Sequence, residues 1–213
     1  MSYRVVLFDL DGTVADTIDL IVASGQHAVS TVLGWTPARE ELLRHLGRPL
    51  HQHLGEYASS PEQLEELITA YRAYQVQHHD DMTRPYDGVN DVVRWLSGQG
   101  RPLGIVTSKV EFLADRALRL LGIDQLFSVV VGLNATTRHK PEPEPVLFAM
   151  RQLGAEPHET VYVGDSPFDL MSASGAGTAS IAVTWGAFSE ATLSEQRPTH
   201  IARSAAELRA VLQ

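Results

Sequence analysis

Residues 8–17 read FDLDGTVADT and follow directly on the apolar run Val5-Val6-Leu7. That run has the composition of a buried strand. The stretch therefore sets two carboxylates, Asp9 and Asp11, and then Gly12, where the strand ends. Like charges this close repel and resist ionising together. Either the stretch is a polar turn leaving the core, or other residues make the pair tolerable. The rest of the chain decides between these.

The chain has 213 residues and is 44% hydrophobic, which supports one large domain or a core carrying a smaller insertion. Its 26 acidic and 17 basic residues give a formal charge of −9. That balance disfavours nucleic acid, which is bound through basic surfaces. There are no cysteines, so disulfides and thiolate metal sites are excluded while oxygen and histidine ligands remain open. No apolar run approaches ~20 residues and no basic leader precedes the first strand, so the expectation is a soluble cytoplasmic protein with no membrane span.

Short apolar runs that end in Gly, Asp, Thr or Ser recur: Arg4–Leu10, which holds the Val5-Val6-Leu7 run, then Pro102–Val106, Val129–Val131, Val161–Val163 and Ile181–Val183. Near-continuous runs of this kind suit strands buried on both faces of a parallel sheet. Helical patterns alternate with them at Asn90–Ser97, Glu111–Leu121, Pro143–Leu153 and Phe168–Ser174, and Gly122 and Gly154 stand where helix C-caps are expected. This alternation predicts a doubly wound α/β core. From Ile18 to Thr83 the alternation fails. Ile18–Leu33, Arg39–His45 and Pro61–His79 have helical spacing, with breaks at Pro37, Gly47-Arg48-Pro49 and Ser59-Ser60-Pro61. The prediction is an all-helical insertion over residues 16–83, within a core formed by residues 1–15 and 84–213.

Open parallel sheets bind ligands at the carboxyl ends of their strands. The first strand brings Asp9 and Asp11 there, the second Thr107 and Ser108, and the fourth Gly164-Asp165 with Asp169 four residues on. Lys140, in HKPEPEP, lies just past the third. Taken singly, DxDG is a turn, Thr107-Ser108 a helix N-cap, Lys140 a solvated lysine and Gly164-Asp165 a routine turn. Together they form a charge cluster that a hard divalent cation such as Mg²⁺, which prefers oxygen ligands, would neutralise. The lysine and hydroxyls are then donors for a phosphoryl group. If the strand stays extended, Asp9 and Asp11 face the same side; one can attack phosphorus while the other moves a proton. Gly12 lets the chain turn close to a ligand.

The sequence resembles the haloacid dehalogenase-like phosphatase superfamily over nearly its whole length. FDLDGTVADT resembles the first motif, GIVTSK the second, KPEPEP the lysine motif and GDSPFDLMSASGAG the fourth. The helical insertion resembles a C1-type cap on the Rossmann-like core. Val183-Thr184-Trp185-Gly186 and the motif spacing are similar to the phosphoglycolate phosphatase branch, while YRAYQVQHHDDMTRPYDGV with KPEPEP is also similar to pyrophosphatases of that branch.

The resemblance implies Asp9 as nucleophile and Asp11 as general acid and base. It implies Thr107 and Lys140, with Ser108 and Gly12 beside them, as phosphoryl-binding residues. It implies Mg²⁺ held by Asp9, the Asp11 main-chain carbonyl and Asp165, with Asp169 helping directly or through water. The expected activity is hydrolysis of a small phosphate ester such as phosphoglycolate through an aspartyl-phosphate, with inorganic pyrophosphate the alternative. Asp11 disfavours dehalogenation, Thr13 disfavours a phosphomutase, and the intact set of motif residues disfavours a non-catalytic binding protein.

Arg48, in a Gly/Pro-framed loop of the insertion, is a candidate for a second anionic group of the substrate through its bidentate fork, and Lys109 is a weaker one. His45, His51, His53, His78 and His79 do not have convincing metal-ligand spacing. Trp35, Trp95 and Trp185 are expected to pack in cores or interfaces, as is the stripe Leu64, Leu67, Ile68 and Tyr71.

Overall fold

The computed structural model describes residues 3–213. Six strands, β1 (Val5–Phe8), β4 (Leu103–Val106), β5 (Val129–Val131), β6 (Thr160–Gly164), β7 (Ala179–Val183) and β8 (His200–Ala202), form one parallel sheet in the order β5-β4-β1-β6-β7-β8. The first strand lies centrally, and the order reverses on either side of it, which places a crevice at its carboxyl end.

Alternation along β1 divides its side chains between two cores. Val6 and Phe8 pack with Val92, Val93 and Leu96 of α5 (Val89–Gly98), Ala114, Ala117 and Leu118 of α6 (Glu111–Leu120), and Leu208 and Leu212 of α10 (Ala205–Leu212). Val5 and Leu7 pack on the other face with Val146, Ala149 and Met150 of α7 (Glu144–Leu153) and Ala173 of α8 (Pro167–Gly175). Both faces are covered, so the expected doubly wound α/β architecture is what forms.

The ends of these helices follow local chemistry. Gly154 caps α7 in the left-handed conformation (φ 57°), as its position predicts. Ser166 caps α8, accepting from the Asp169 amide while the Asp169 carboxylate accepts in return from the Ser166 amide.

The chain leaves the core after β1 through β2 (Ala15–Asp16) and re-enters through β3 (Arg84–Pro85), and these two pair antiparallel. Between them lie only helices: α1 (Ile18–Leu33), α2 (Arg39–Leu43), α3 (Leu50–Gly55) and α4 (Pro61–His78). Ala28 and Val29 of α1, Leu54 of α3, and Leu67 and Tyr71 of α4 make an apolar centre of their own, with Leu64 and Ile68 against it. A second cluster, Ile18, Val22, Leu42 and Leu46, meets Ala187 and Phe188 of the core.

Three sequence expectations change. The strand stops at Phe8, and although the Asp9 amide still bonds Val163 O of β6, Asp11 is placed by a turn and not by strand alternation: the amides of Val14 and Ala15 bond Leu10 O, and the Gly12 amide bonds Ala15 O. Helix α3 was not expected, because its six residues follow directly on the Gly47-Arg48-Pro49 break. Trp35 is exposed rather than packed in a core, with its ring 5.9 Å from that of Tyr57.

Candidate active site

The carboxyl ends of β1 and β4 and the segment after β5 converge on one pocket, about 80 Å³ in volume, whose opposite wall comes from the inserted helices. Asp9, Asp11, Thr107, Ser108, Lys109 and Lys140 line its core side.

Lys140 is at the centre of the charge arrangement. Its Nζ, 2% exposed as a side chain, donates to Asp9 Oδ1 at 2.9 Å and to Asp169 Oδ1 at 2.6 Å. Burial alone would lower the lysine, but Asp169 and Asp9 outweigh it and hold the ammonium charged. Tyr162 Oη lies 3.0 Å from Asp169 Oδ1 and 2.8 Å from Val106 O. Ser166 supplies its amide (3.0 Å) and hydroxyl (2.6 Å) to Asp169 Oδ2. Both Asp169 oxygens are thus engaged by the protein, and this carboxylate fixes the position of Lys140.

Asp165 is buried and held by the Thr13 hydroxyl at 3.2 Å and the Ala187 amide at 3.0 Å. Gly12 is needed beside it: its φ is +85°, and a Cβ there would run into the Asp165 carboxylate. Gly12 does not line the pocket; its place is against Asp165. The Thr13 carbonyl is in turn held by Trp185 Nε1 at 3.0 Å.

Asp9, Asp165 and Asp169 each offer an oxygen within 4.8 Å of the others, all buried. Burial raises Asp9 well above the usual carboxylate range; Lys140 opposes this, and Asp169, Asp165 and Asp11 add to it. Burial, reinforced by Asp169, raises Asp165 to about 7 against the pull of the Ala187 amide, Lys140 and Thr13. A buried oxygen-only donor set with more negative than positive charge fits a hard divalent cation.

Asp11 Oδ1 accepts from Lys109 Nζ at 2.7 Å and from the Thr17 hydroxyl at 2.6 Å. Lys109, a weak candidate in the sequence for a distal anion, is therefore the counter-ion of Asp11. The Thr107 hydroxyl accepts from the Lys109 amide at 3.2 Å while facing the pocket. Ser108 Oγ donates to Gly47 O at 2.7 Å, which joins the core edge to the insertion. Arg48 lines the pocket, but its Nη1 is engaged by Glu56 at 2.8 Å and His45 Nδ1 at 2.9 Å.

A family model described as haloacid dehalogenase-like hydrolase matches residues 6–183, which takes in every one of these strand ends. The chain belongs to that hydrolase family. Among curated relatives, a protein named pyrophosphatase PpaX from Bacillus pumilus (strain SAFR-032) is 36% identical over 99% of this chain and 97% of its own. Among solved structures, a predicted phosphatase from Clostridium acetobutylicum superposes with a TM-score of 0.89 at 26% identity, covering 100% of this chain and 99% of that one. A predicted phosphoglycolate phosphatase from Haemophilus somnus 129pt, 24% identical, gives a TM-score of 0.91 over 100% and 99% of the two chains and speaks for the fold. The expectation of a haloacid dehalogenase-like phosphatase holds. No helix among the described residues is long and apolar enough to cross a membrane.

The sequence reading did not single out Tyr162, Ser166, Thr13, Thr17 or Ala187 as site residues. For Tyr162 there was a signal: a tyrosine inside an otherwise apolar strand needs a partner for its hydroxyl. Nothing local marked Ala187, which acts through its backbone.

Proposed function

We propose that the chain is a Mg²⁺-dependent phosphohydrolase acting on a small phosphate compound through an aspartyl-phosphate on Asp9, with residues 16–83 forming a cap over a core of residues 1–15 and 84–213. The observation that carries this reading is the buried Asp9 carboxylate, bonded to Lys140 and opening on the same pocket as Asp11.

In this mechanism Asp9 attacks phosphorus and the bond to the leaving oxygen breaks. Asp11 delivers a proton to that oxygen, then takes one from the water that attacks the aspartyl-phosphate and releases phosphate. Lys140 and Thr107 hold the phosphoryl oxygens, with Lys140 positioned by Asp169. Asp9, Asp165 and the Asp11 main-chain carbonyl would hold Mg²⁺, with Asp169 in support through Lys140. Bound there, the ion supplies positive charge that keeps the carboxylates ionised and balances the phosphoryl oxygens.

Inorganic pyrophosphate is supported as well as a phosphoglycolate-like ester is. The Bacillus pumilus relative named pyrophosphatase matches almost end to end at 36% identity, and a pocket of about 80 Å³ is far smaller than the hundreds of Å³ typical of drug-sized ligand sites. A phosphoglycolate-like ester is the second reading, favoured by the Val183–Gly186 stretch and the motif spacing. The test is phosphate release from pyrophosphate, phosphoglycolate, sugar phosphates and a phosphopeptide, with Mg²⁺ and with EDTA. Release from one or more small substrates that EDTA abolishes supports the proposal; release unaffected by EDTA, or from the phosphopeptide alone, overturns it.

A further inference from the structure

The two walls of the pocket differ in how their polar groups are satisfied. On the core side the charged groups hold one another, through the Lys140, Asp9, Asp169 set and the Lys109–Asp11 pair. On the cap side, Tyr71, Arg72 and Gln75 of α4 and His53 of α3 line the same pocket. None of these four side chains makes a hydrogen bond or ion pair to another described residue. His53 is 4% exposed and its Nε2 is buried without a partner. Tyr71 and Gln75 are also buried, and their i, i+4 spacing sets them on one face of α4, beside Arg72. Folded proteins rarely leave buried polar groups unpaired, because each one costs its lost hydration. The buried, unpartnered His53 Nε2, in one cavity wall with the buried Tyr71 and Gln75 and the exposed Arg72, indicates a polar occupant.

The charge on that wall identifies the kind of occupant. The cap contributes Arg48, Arg72, His45 and His53 to the lining and no acidic residue. Glu56, whose charge acts on His53, is taken up by Arg48 and His45 at 2.8 and 3.0 Å. Burial, with His45 and Arg48 beside it, pushes the His53 imidazole down to about 4, so the ring is neutral near pH 7 and able to donate through one nitrogen. Of the two arginines that line the pocket, Arg72 is thus the one without an ion pair among the described residues, and it is exposed. The wall offers a guanidinium, an amide, a phenol and an imidazole, all capable of donating, to whatever lies beyond the reacting phosphoryl group.

We propose that His53, Tyr71, Arg72 and Gln75 form a second oxyanion subsite, which holds the phosphoryl or carboxylate group of the substrate that does not react. This rests on the phosphohydrolase reading above, and it moves the distal contact from Arg48, which Glu56 and His45 already engage, to Arg72. Arg48 supports the subsite from behind by fixing His45 and, through the 5.3 Å ring contact, His53.

The test compares wild type, Arg72→Gln and Gln75→Leu on pyrophosphate, phosphoglycolate and phenyl phosphate, the last having a leaving group without a second anion. Arg72→Gln is expected to raise KM for the two bis-anionic substrates roughly 10-fold or more, the worth of a charge-assisted contact. Its kcat/KM for phenyl phosphate should stay within about 2-fold. Gln75→Leu should move the same way by less. Calorimetric titration with methylenediphosphonate, which is not hydrolysed, should show the same loss in Arg72→Gln while binding of orthophosphate is kept. A loss on pyrophosphate alone assigns the subsite to a second phosphoryl group, and a loss on phosphoglycolate extends it to carboxylates. Equal losses on phenyl phosphate, or no loss on either bis-anionic substrate, would overturn the subsite. Wild-type protein that leaves all three substrates intact would instead refute the phosphohydrolase reading, and the subsite with it.

Discussion

The core edge and the cap face of this pocket are built from similar residue types and behave in opposite ways. Along the core edge, Lys140, Asp9, Asp169, Tyr162 and Ser166 form one connected set, with each charge held by a neighbour. Across the cavity, the side chains of Tyr71, Arg72 and Gln75 make no hydrogen bond or ion pair to another described residue, and His53 has only ring contacts, with His45 and Tyr57. Residues that carry out a bond-breaking step must be fixed before the substrate arrives, so their supporting contacts are internal. Residues that choose among substrates must have free hydrogen-bonding capacity, because discrimination is the difference between filling it and leaving it empty. On this account the two walls divide the labour, with chemistry on the sheet and choice on the cap.

Substitutions on the core edge should have the largest effects. Asp9→Asn is expected to lower kcat on the order of 10³-fold or more, read by steady-state phosphate release. Retained turnover in a preparation free of contaminating phosphatase would break the assignment. Lys140→Met removes the cation between two buried carboxylates, and stranding buried charge of this kind costs about 3–5 kcal/mol. Its urea midpoint should fall accordingly and activity should go with it.

The cap face should show the contrary pattern. Tyr71→Phe and Gln75→Leu remove groups with no protein partner, so unfolding free energy should change by less than about 1 kcal/mol, even though both positions are buried. A large destabilisation from either would mean that the two walls do not differ in the way described.

The division between the walls follows what a single sequence can reveal. The fold and the gathering of the candidate site residues were legible because they rest on local patterns. The Val/Ile/Leu runs gave β1, β4 and β5, with β6 and β7 a residue or two longer at their ends than the runs themselves, and Ile18–Leu33 appeared as a helix between those bounds. Asp9, Asp11, Lys140 and Asp165 stand at strand ends or just beyond, where the topology directs them to one crevice. The short edge strand β8 and the helix α9 (Glu190–Ser194) carry too few residues for a periodic signal, and α10 was not singled out. Tyr71 was legible only as part of an apolar stripe, since that spacing does not say which end of the side chain meets a cavity. Arg48 drew attention through its Gly/Pro frame, whereas its engagement by Glu56, eight residues on, depends on how α3 folds back.

Metal dependence and pH test the core edge more gently. Asp165 sits at about 7 in the fold against an ordinary 3.8. The folded state therefore holds this proton more tightly than the unfolded chain does, and Asp9 is shifted in the same direction. Stability of the metal-free protein should fall as pH rises from about 4 through 7, because ionising these groups favours the unfolded chain. Mg²⁺ relieves that penalty, so thermal melts should show a larger Mg²⁺-dependent rise at pH 8 than at pH 5. The same rise at both would contradict the placement of the ion. The smallest effect is expected from Ser108→Ala, which removes one hydrogen bond between core and cap at Gly47 O, worth about 1 kcal/mol. It should alter KM more than the melting temperature.

The central claim is that Asp9 carries the phosphoryl group, and it can be tested by trapping. Borohydride added during turnover reduces an aspartyl-phosphate to homoserine, and peptide mass spectrometry then locates the change. Homoserine at position 9, appearing only with substrate and Mg²⁺ and not in Asp9→Asn, is the predicted result. An unmodified Asp9 during sustained turnover, or trapping at Asp11, Asp165 or Asp169 instead, would contradict it.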